Sequence, residues 1–237
     1  NFFSLVGIGS GDTEAAPAGP VTASPEEEKL KQFINFVLDD VQASWDKVLP
    51  EQSGTAYQHA HLVLFRDGIE SACGLAESAT GPFYCPGDHK VYVDLGFFQE
   101  LADRFGAPGD FGQAYVLAHE IGHHVQLLLG TEAKMRQLQG EHPAQAKELS
   151  VRFELQADCY AGVWGSSAAQ RGELDPGDSD EGLNAAAAVG DDRIQRMTTG
   201  HVSPEAFTHG SAEQRSQWFR QGLRTGKVSA CDTFAAP

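Results

Sequence analysis

The stretch from Asp110 to Gly130, DFGQAYVLAHEIGHHVQLLLG, leaves this chain little freedom in how it folds. It reads as one helix signed at both ends. Asp110 stands as the N-cap, Gln113 three residues later completes a capping box, and Gly130 supplies the stop. Tyr115 to Ala118, Val125 and Leu127 to Leu129 clothe it in apolar surface, so burial on nearly all sides is expected. Inside that apolar run sits His119-Glu120-Ile121-Gly122-His123. At 3.6 residues per turn, His119 and His123 fall one above the other on a single face. Chance supplies such a pair in roughly a few per cent of chains with this much His and Glu. Burial decides the matter, because two imidazoles and a carboxylate in apolar surroundings cost free energy unless something satisfies them. One tetrahedral zinc ion held by both imidazoles does so. Glu120, beside the first histidine, is then placed to take a proton from a water on that ion.

Zinc used catalytically takes three protein ligands, so a third is needed. Glu154, 31 residues after His123 on a second helical stretch, has Asp158 one turn below it. Glu154 suits coordination, and Asp158 suits acceptance of a proton from the far nitrogen of a ligating histidine, which fixes its tautomer. Most Glu/Asp pairs instead sit on a solvated helix face. Leu155, Ala157, Tyr160, Ala161, Val163 and Trp164 leave little such face here. His124 is the rival ligand, but it lies about 100° around the helix from His123 and should point away.

Of the 237 residues, 41% are hydrophobic, enough for one domain with a substantial core. A net charge of -16 argues against nucleic acid and anionic membrane surfaces as partners. No run approaches the ~20 apolar residues of a transmembrane helix. The opening NFFSLVGIGSGD lacks Met and leads into small Pro- and Gly-rich residues, so residues 1–23 read as a flexible tether left by a removed N-terminal anchor. The domain proper is then 24–237, exported or held in the cell envelope, with membrane contact only through the missing segment. Cys73, Cys85, Cys159 and Cys231 show no C-x-x-C spacing. Two disulfides are expected, Cys73–Cys85 and Cys159–Cys231, against an alternative of four buried thiols.

Ser24-Pro25-Glu26-Glu27 opens an amphipathic helix over 25–49. A strand is expected at 61–65, then a small-residue segment from Cys73, a β-hairpin over 82–94 and a short helix over 95–105. Helical segments follow over 131–140, 143–171 and 180–189. Asp191-Asp192 caps the next turn, and Ser211 with Gln214 caps a last helix.

Five stretches carry a resemblance: GPFYCPGDHKVYVDL, FGAPGDFGQAYVLAHEIGHHVQLLLG, SVRFELQADCYAGVWG, LNAAAAVGDDRIQ and FTHGSAEQRSQWFRQG. Over about residues 26–234 they resemble the bacterial neutral zinc metallopeptidase family, and more distantly the gluzincins. The resemblance implies one Zn2+ on His119, His123 and Glu154, with Glu120 as base and Asp158 supporting a ligand. It also implies that His209 and Arg215 lie near the site, and that a membrane-spanning segment precedes the domain. His209 reads either as an oxyanion donor or as a loop histidine on a backbone carbonyl. Arg215, inside the last helix, is expected to be buried against a carboxylate, Asp158 or Glu154. The expected fold is α+β and mostly α-helical, a zincin-like domain with a small sheet or hairpin at the cleft edge. The expected function is that of a zinc-dependent endopeptidase acting on a peptide or protein. The competing expectation is a membrane-tethered zinc-binding scaffold with little or no peptidase activity.

Overall fold

Helix α1, Pro25–Ser53, starts where the sequence signals it. In the computed structural model, which describes residues 24–77, 81–106 and 109–235, the Ser24 N–H donates to the Glu27 carboxylate at 2.8 Å, and the Glu27 N–H donates back to Ser24 Oγ at 3.2 Å. The helix runs past its expected end, through Pro50, to a left-handed Gly54. The tether assigned to residues 1–23 lies outside the described residues.

Five short strands follow: β1 His61–Phe65, β2 Gly68–Ser71, β3 Gly74–Glu77, β4 Phe83–Cys85 and β5 Lys90–Asp94. The hairpin expected at 82–94 is present as antiparallel β4 and β5, with Phe83 opposite Tyr92. β1 joins β5 in parallel, from His61↔Lys90 to Phe65↔Asp94, so the sheet order is β1-β5-β4 and β4 forms an edge. The β2–β3 hairpin, antiparallel from Gly68↔Glu77 to Ser71↔Gly74, is not expected from the sequence, which shows only a small-residue segment from Cys73. Its strands are four residues long and mostly exposed, so no apolar alternation betrays them. The Cys73–Cys85 disulfide ties its turn to β4.

Seven further helices complete the described chain: α2 Phe97–Phe105, α3 Asp110–Leu128, α4 Thr131–Glu141, α5 Ala146–Arg171, α6 Asp178–Ala188, α7 Asp191–Thr198 and α8 Ala212–Thr225. The fold is thus α+β and predominantly helical, as expected. Helix starts differ in several places, α2 among them, which begins at Phe97 rather than residue 95. Gly109, in extended conformation, is the N-cap of α3, and Asp110 lies in the first turn, where its carboxylate takes the Phe111 N–H; the capping box with Gln113 does not form. An acid there still faces the positive end of the helix dipole. Pro143–Gln145 is a 3-10 turn rather than the start of α5, and α6 begins at Asp178. The left-handed Gly130 ends α3 as read, and Ser211 with Gln214 forms a capping box on α8.

Helix α3 lies at the centre, its Tyr115, Leu117, Ala118, Ile121 and Val125 buried among α1, α5 and α6. α5 reaches it closely because a Cβ on Gly122 would come within 2.8 Å of the Ala157 carbonyl oxygen. α8 lies backbone to backbone on α5: a Cβ on Gly162 would strike the Phe219 carbonyl, and one on Gly222 the Cys159 carbonyl. The Cys159–Cys231 disulfide then fastens the C-terminal segment to α5, so both expected pairings are found. Among the described residues no helix is long and apolar enough to cross a membrane.

Candidate metal centre

The close approach of α3 and α5 at Gly122 and Ala157 sets Glu154 and Asp158 against the two histidines. His119 Nε2 lies 3.3 Å from Glu154 Oε2, and His123 Nε2 lies 3.6 Å from Glu154 Oε1. One ligand atom from each of the three falls within 4.8 Å of the others. A tetrahedral zinc with bonds of about 2.0–2.2 Å holds neighbouring ligand atoms about 3.3–3.6 Å apart, so the donor set fits such an ion.

The far nitrogens are held as well. His119 Nδ1 donates to Asp158 Oδ1 at 2.8 Å, and His123 Nδ1 meets Gln126 Oε1 at 2.8 Å, which turns both Nε2 atoms toward Glu154. Burial depresses the His119 pKa, but the Asp158 and Glu154 carboxylates outweigh it and raise it to about 9. Burial opposes ionisation of Glu154 too, yet the two histidines hold its carboxyl well below the usual range. An ionised carboxylate facing two imidazoles is the polarity a cation requires.

Asp158 and Arg215 are both fully buried, and of the two carboxylates expected for Arg215 it is Asp158 that takes its hydrogen bonds. Arg215 Nε and Nη2 donate to Asp158 Oδ2 and Oδ1 at 2.8 and 2.9 Å, while Nη1 donates to the Val189 carbonyl. The Tyr115 hydroxyl adds a 2.5 Å donation to Asp158 Oδ1. This bidentate clamp fixes the carboxylate that in turn orients His119.

Glu120 opens on a cleft lined also by Pro82, Phe83, Phe153 and His209. Burial raises its pKa above the usual carboxylate value, opposed by the charges of His119 and His123 and by a hydrogen bond from the Tyr84 backbone N–H. A carboxyl shifted upward is better matched to receive a proton near neutral pH. His209 reaches the same cleft from the loop after α7. Its Nδ1 lies 3.2 Å from Asp191 Oδ1, and Asp191 Oδ2 accepts the backbone N–H groups of Thr208, His209 and Gly210 at 2.7, 2.7 and 3.0 Å. The sequence marks Asp191 only as a helix cap. It clamps the His209 loop instead, while Asp192 takes the Ala212 N–H at the head of α8. His124 points away as expected, taking the Tyr84 hydroxyl on Nδ1 and donating to the Gln58 carbonyl.

The fold therefore brings together all seven residues singled out in the sequence: His119, Glu120, His123, Glu154, Asp158, His209 and Arg215. It adds Gln126, Tyr115 and Asp191, which sequence reasoning missed. Gln126, three residues after His123, was findable from helical spacing. The Asp191–His209 contact joins separate segments and leaves no local signal.

The family model described as "Putative neutral zinc metallopeptidase" matches residues 3–234. "Uncharacterized protein YpfJ" of Escherichia coli strain K12 is 46% identical over 231 residues, covering 97% of this chain and 80% of that protein. "Uncharacterized protein Rv2575" of Mycobacterium tuberculosis strain H37Rv is 46% identical over 209 residues, covering 84% of this chain and 68% of that protein. No solved structure matches significantly. A match that runs through every helix contributing to the histidine–glutamate cluster places this chain in that zinc metallopeptidase family.

Proposed function

We propose that the chain is a zinc-dependent endopeptidase. The observation that supports this most is Glu120: a carboxylate in the cleft beside the cluster, outside the ligand set, with its pKa raised by burial. A site that only held metal would have no use for it. His119, His123 and Glu154 would hold one Zn2+, which when bound acidifies a water and polarises a peptide carbonyl. Glu120 takes the proton from the attacking water as the new C–O bond forms. It returns that proton to the amine nitrogen as the C–N bond breaks. His209, oriented by Asp191, donates to the oxyanion. The β4 edge runs along the cleft through Phe83 and Tyr84, where an extended peptide can align by strand addition. A net charge of -16 favours cationic substrate segments, and the two disulfides support an oxidising, exported location.

The test is metal content together with digestion of an unfolded protein. Wild type should carry one zinc and cleave. Glu120→Gln should keep the zinc and lose roughly 10²–10⁴-fold in activity. His209→Ala should keep the zinc and lose roughly a hundredfold in turnover. Zinc-loaded wild type that cleaves no unfolded protein would sink the reading.

A further inference from the structure

The two metal-facing histidines are held from behind by different chemistry. Behind His119 stands a charged carboxylate, Asp158; behind His123 stands a neutral amide, Gln126, itself fully buried. Gln126 Nε2 lies 2.7 Å from the Phe153 carbonyl oxygen and 3.0 Å from Gln156 Oε1. A backbone carbonyl can only accept, so the amide NH2 must face Phe153 and the amide oxygen must face His123. The same logic sets the next amide. Gln156 Nε2 lies 2.9 Å from the carbonyl oxygen of Cys231, another obligatory acceptor, which leaves Gln156 Oε1 for Gln126. Two backbone carbonyls thus dictate the direction of a whole row of hydrogen bonds ending on an imidazole.

From this row we infer that Gln126 and Gln156 are positioning residues for His123, fixing it as the Nδ1–H tautomer with the Nε2 lone pair turned into the cleft. The inference rests on His123 being a metal ligand, as proposed above. Gln126 Oε1 has no hydrogen to give, so His123 Nδ1 must carry one. In the neutral ring Nε2 is then the unprotonated nitrogen, 3.6 Å from Glu154 Oε1, where an ion shared with Glu154 would need it. The Phe153 ring, stacked on the imidazole at 5.2 Å and 22°, fixes the ring plane. A neutral amide has a reason to be here. Glu120, Glu154 and Asp158 already place three carboxyl groups around the cluster, all buried or nearly so, and a fourth charge at 126 would add repulsion without a partner. The row also anchors the ligand outside its own helix: Phe153 and Gln156 lie on α5, and Cys231 is bonded to α5 through Cys159.

The experiment uses the full chain with 15N-labelled histidine. It compares wild type, Gln126→Leu and Gln156→Leu by two readouts, the tautomer of His123 in metal-free protein from long-range 15N–1H spectra taken at a pH high enough for both cluster histidines to be neutral, and zinc affinity by chelator competition. Wild type should show His123 protonated on Nδ1. Gln126→Leu should lose that preference and bind zinc roughly 10–100-fold more weakly. Gln156→Leu keeps the direct bond and should lose less, roughly threefold to tenfold. His119, held by Asp158, should stay protonated on Nδ1 throughout and so reports an intact site in the same spectra. If Gln126→Leu does not fold, Gln156→Leu decides alone. Retention of the Nδ1–H tautomer and of wild-type zinc affinity in the folded variants would overturn the inference. Absence of zinc binding in wild type would overturn the metal reading instead, while the tautomer measurement still judges the amide row.

Discussion

Glu120, Glu154 and Asp158 carry nearly the same chemistry at three depths of one site, and their surroundings ask three different things of it. Glu154 faces both histidines with one oxygen each, whereas Asp158 is sealed behind His119 by Arg215 and Tyr115. Burial alone would raise the Asp158 pKa; Arg215 and His119 bring it below the usual value. Glu154→Ala should therefore lose most bound zinc, and Asp158→Asn should lower zinc affinity roughly 10–100-fold. Zinc stoichiometry and chelator competition on the two purified variants read this out. Zinc retained by Glu154→Ala and lost by Asp158→Asn would make Asp158 the ligand. Asp191 offers a pH prediction away from the ligands. Burial pushes its carboxyl up, but His209 and the backbone N–H groups of the loop more than compensate, and it lies below the usual value. A depressed carboxyl contributes stability that is present above its unfolded pKa, about 3.9, and lost as pH falls through the lower folded value. The stability gap between wild type and Asp191→Asn in urea should be full at pH 6 and narrow below about pH 4. A gap independent of pH would show that the loop does not depend on an ionised Asp191.

At the scale of elements, the site exists because α3 and α5 cross with almost nothing between them. Gly122 sits inside the motif between Ile121 and His123, and the carbonyl of Ala157, between Glu154 and Asp158 in register, occupies the space of its missing side chain. Gly122→Ala places a Cβ 2.8 Å from that oxygen and 3.1 Å from Ala157 Cα, both backbone atoms that cannot rotate aside. The helices must part by some tenths of an ångström. We expect a loss of about 1–3 kcal/mol in denaturant unfolding, together with weaker zinc binding, because the carboxylates move with α5. Unchanged zinc affinity would mean that the ligands tolerate the shift. The same helices were the legible part of the fold. α1, α3, α5 and α8 announce themselves by apolar period, capping residues and terminal glycines, all local in sequence, and the ligand spacing rides on that period. The exact start of α3 was missed because an acid in the first turn and an acid at the cap look alike in sequence. β2 and β3 were missed because they bury too little to show a pattern, and the parallel pairing of β1 with β5 is a contact across the chain that no local signal encodes.

Across the whole molecule, the site is closed by contacts between distant parts of the chain: Arg215 reaches back 57 residues to Asp158, and Cys231 reaches back 72 residues to Cys159. These contacts hold α8 and the C-terminal segment against α5, where Arg215 bonds the Asp158 carboxylate behind His119 and the Cys231 carbonyl accepts from Gln156, the second amide behind His123. The two disulfides differ in how much chain they close, 12 residues for Cys73–Cys85 and 72 for Cys159–Cys231. Each is expected to stabilise by roughly 2–4 kcal/mol. Loop-closure entropy grows as 1.5RT times the logarithm of loop length, which makes the longer one worth about 1.5 kcal/mol more. Packing points the same way, since Cys159 and Cys231 are both fully buried while Cys73 is exposed. The double variant Cys159→Ala/Cys231→Ala should therefore unfold at clearly lower urea than Cys73→Ala/Cys85→Ala. It should also bind zinc more weakly, because Cys231 anchors Gln156 and Cys159 adjoins Asp158. The short-loop variant should leave zinc affinity near wild type, since its bridge touches the cleft only through β4. Equal losses in urea, with zinc affinity unchanged in both, would show that the C-terminal segment is packed on a site that stands without it.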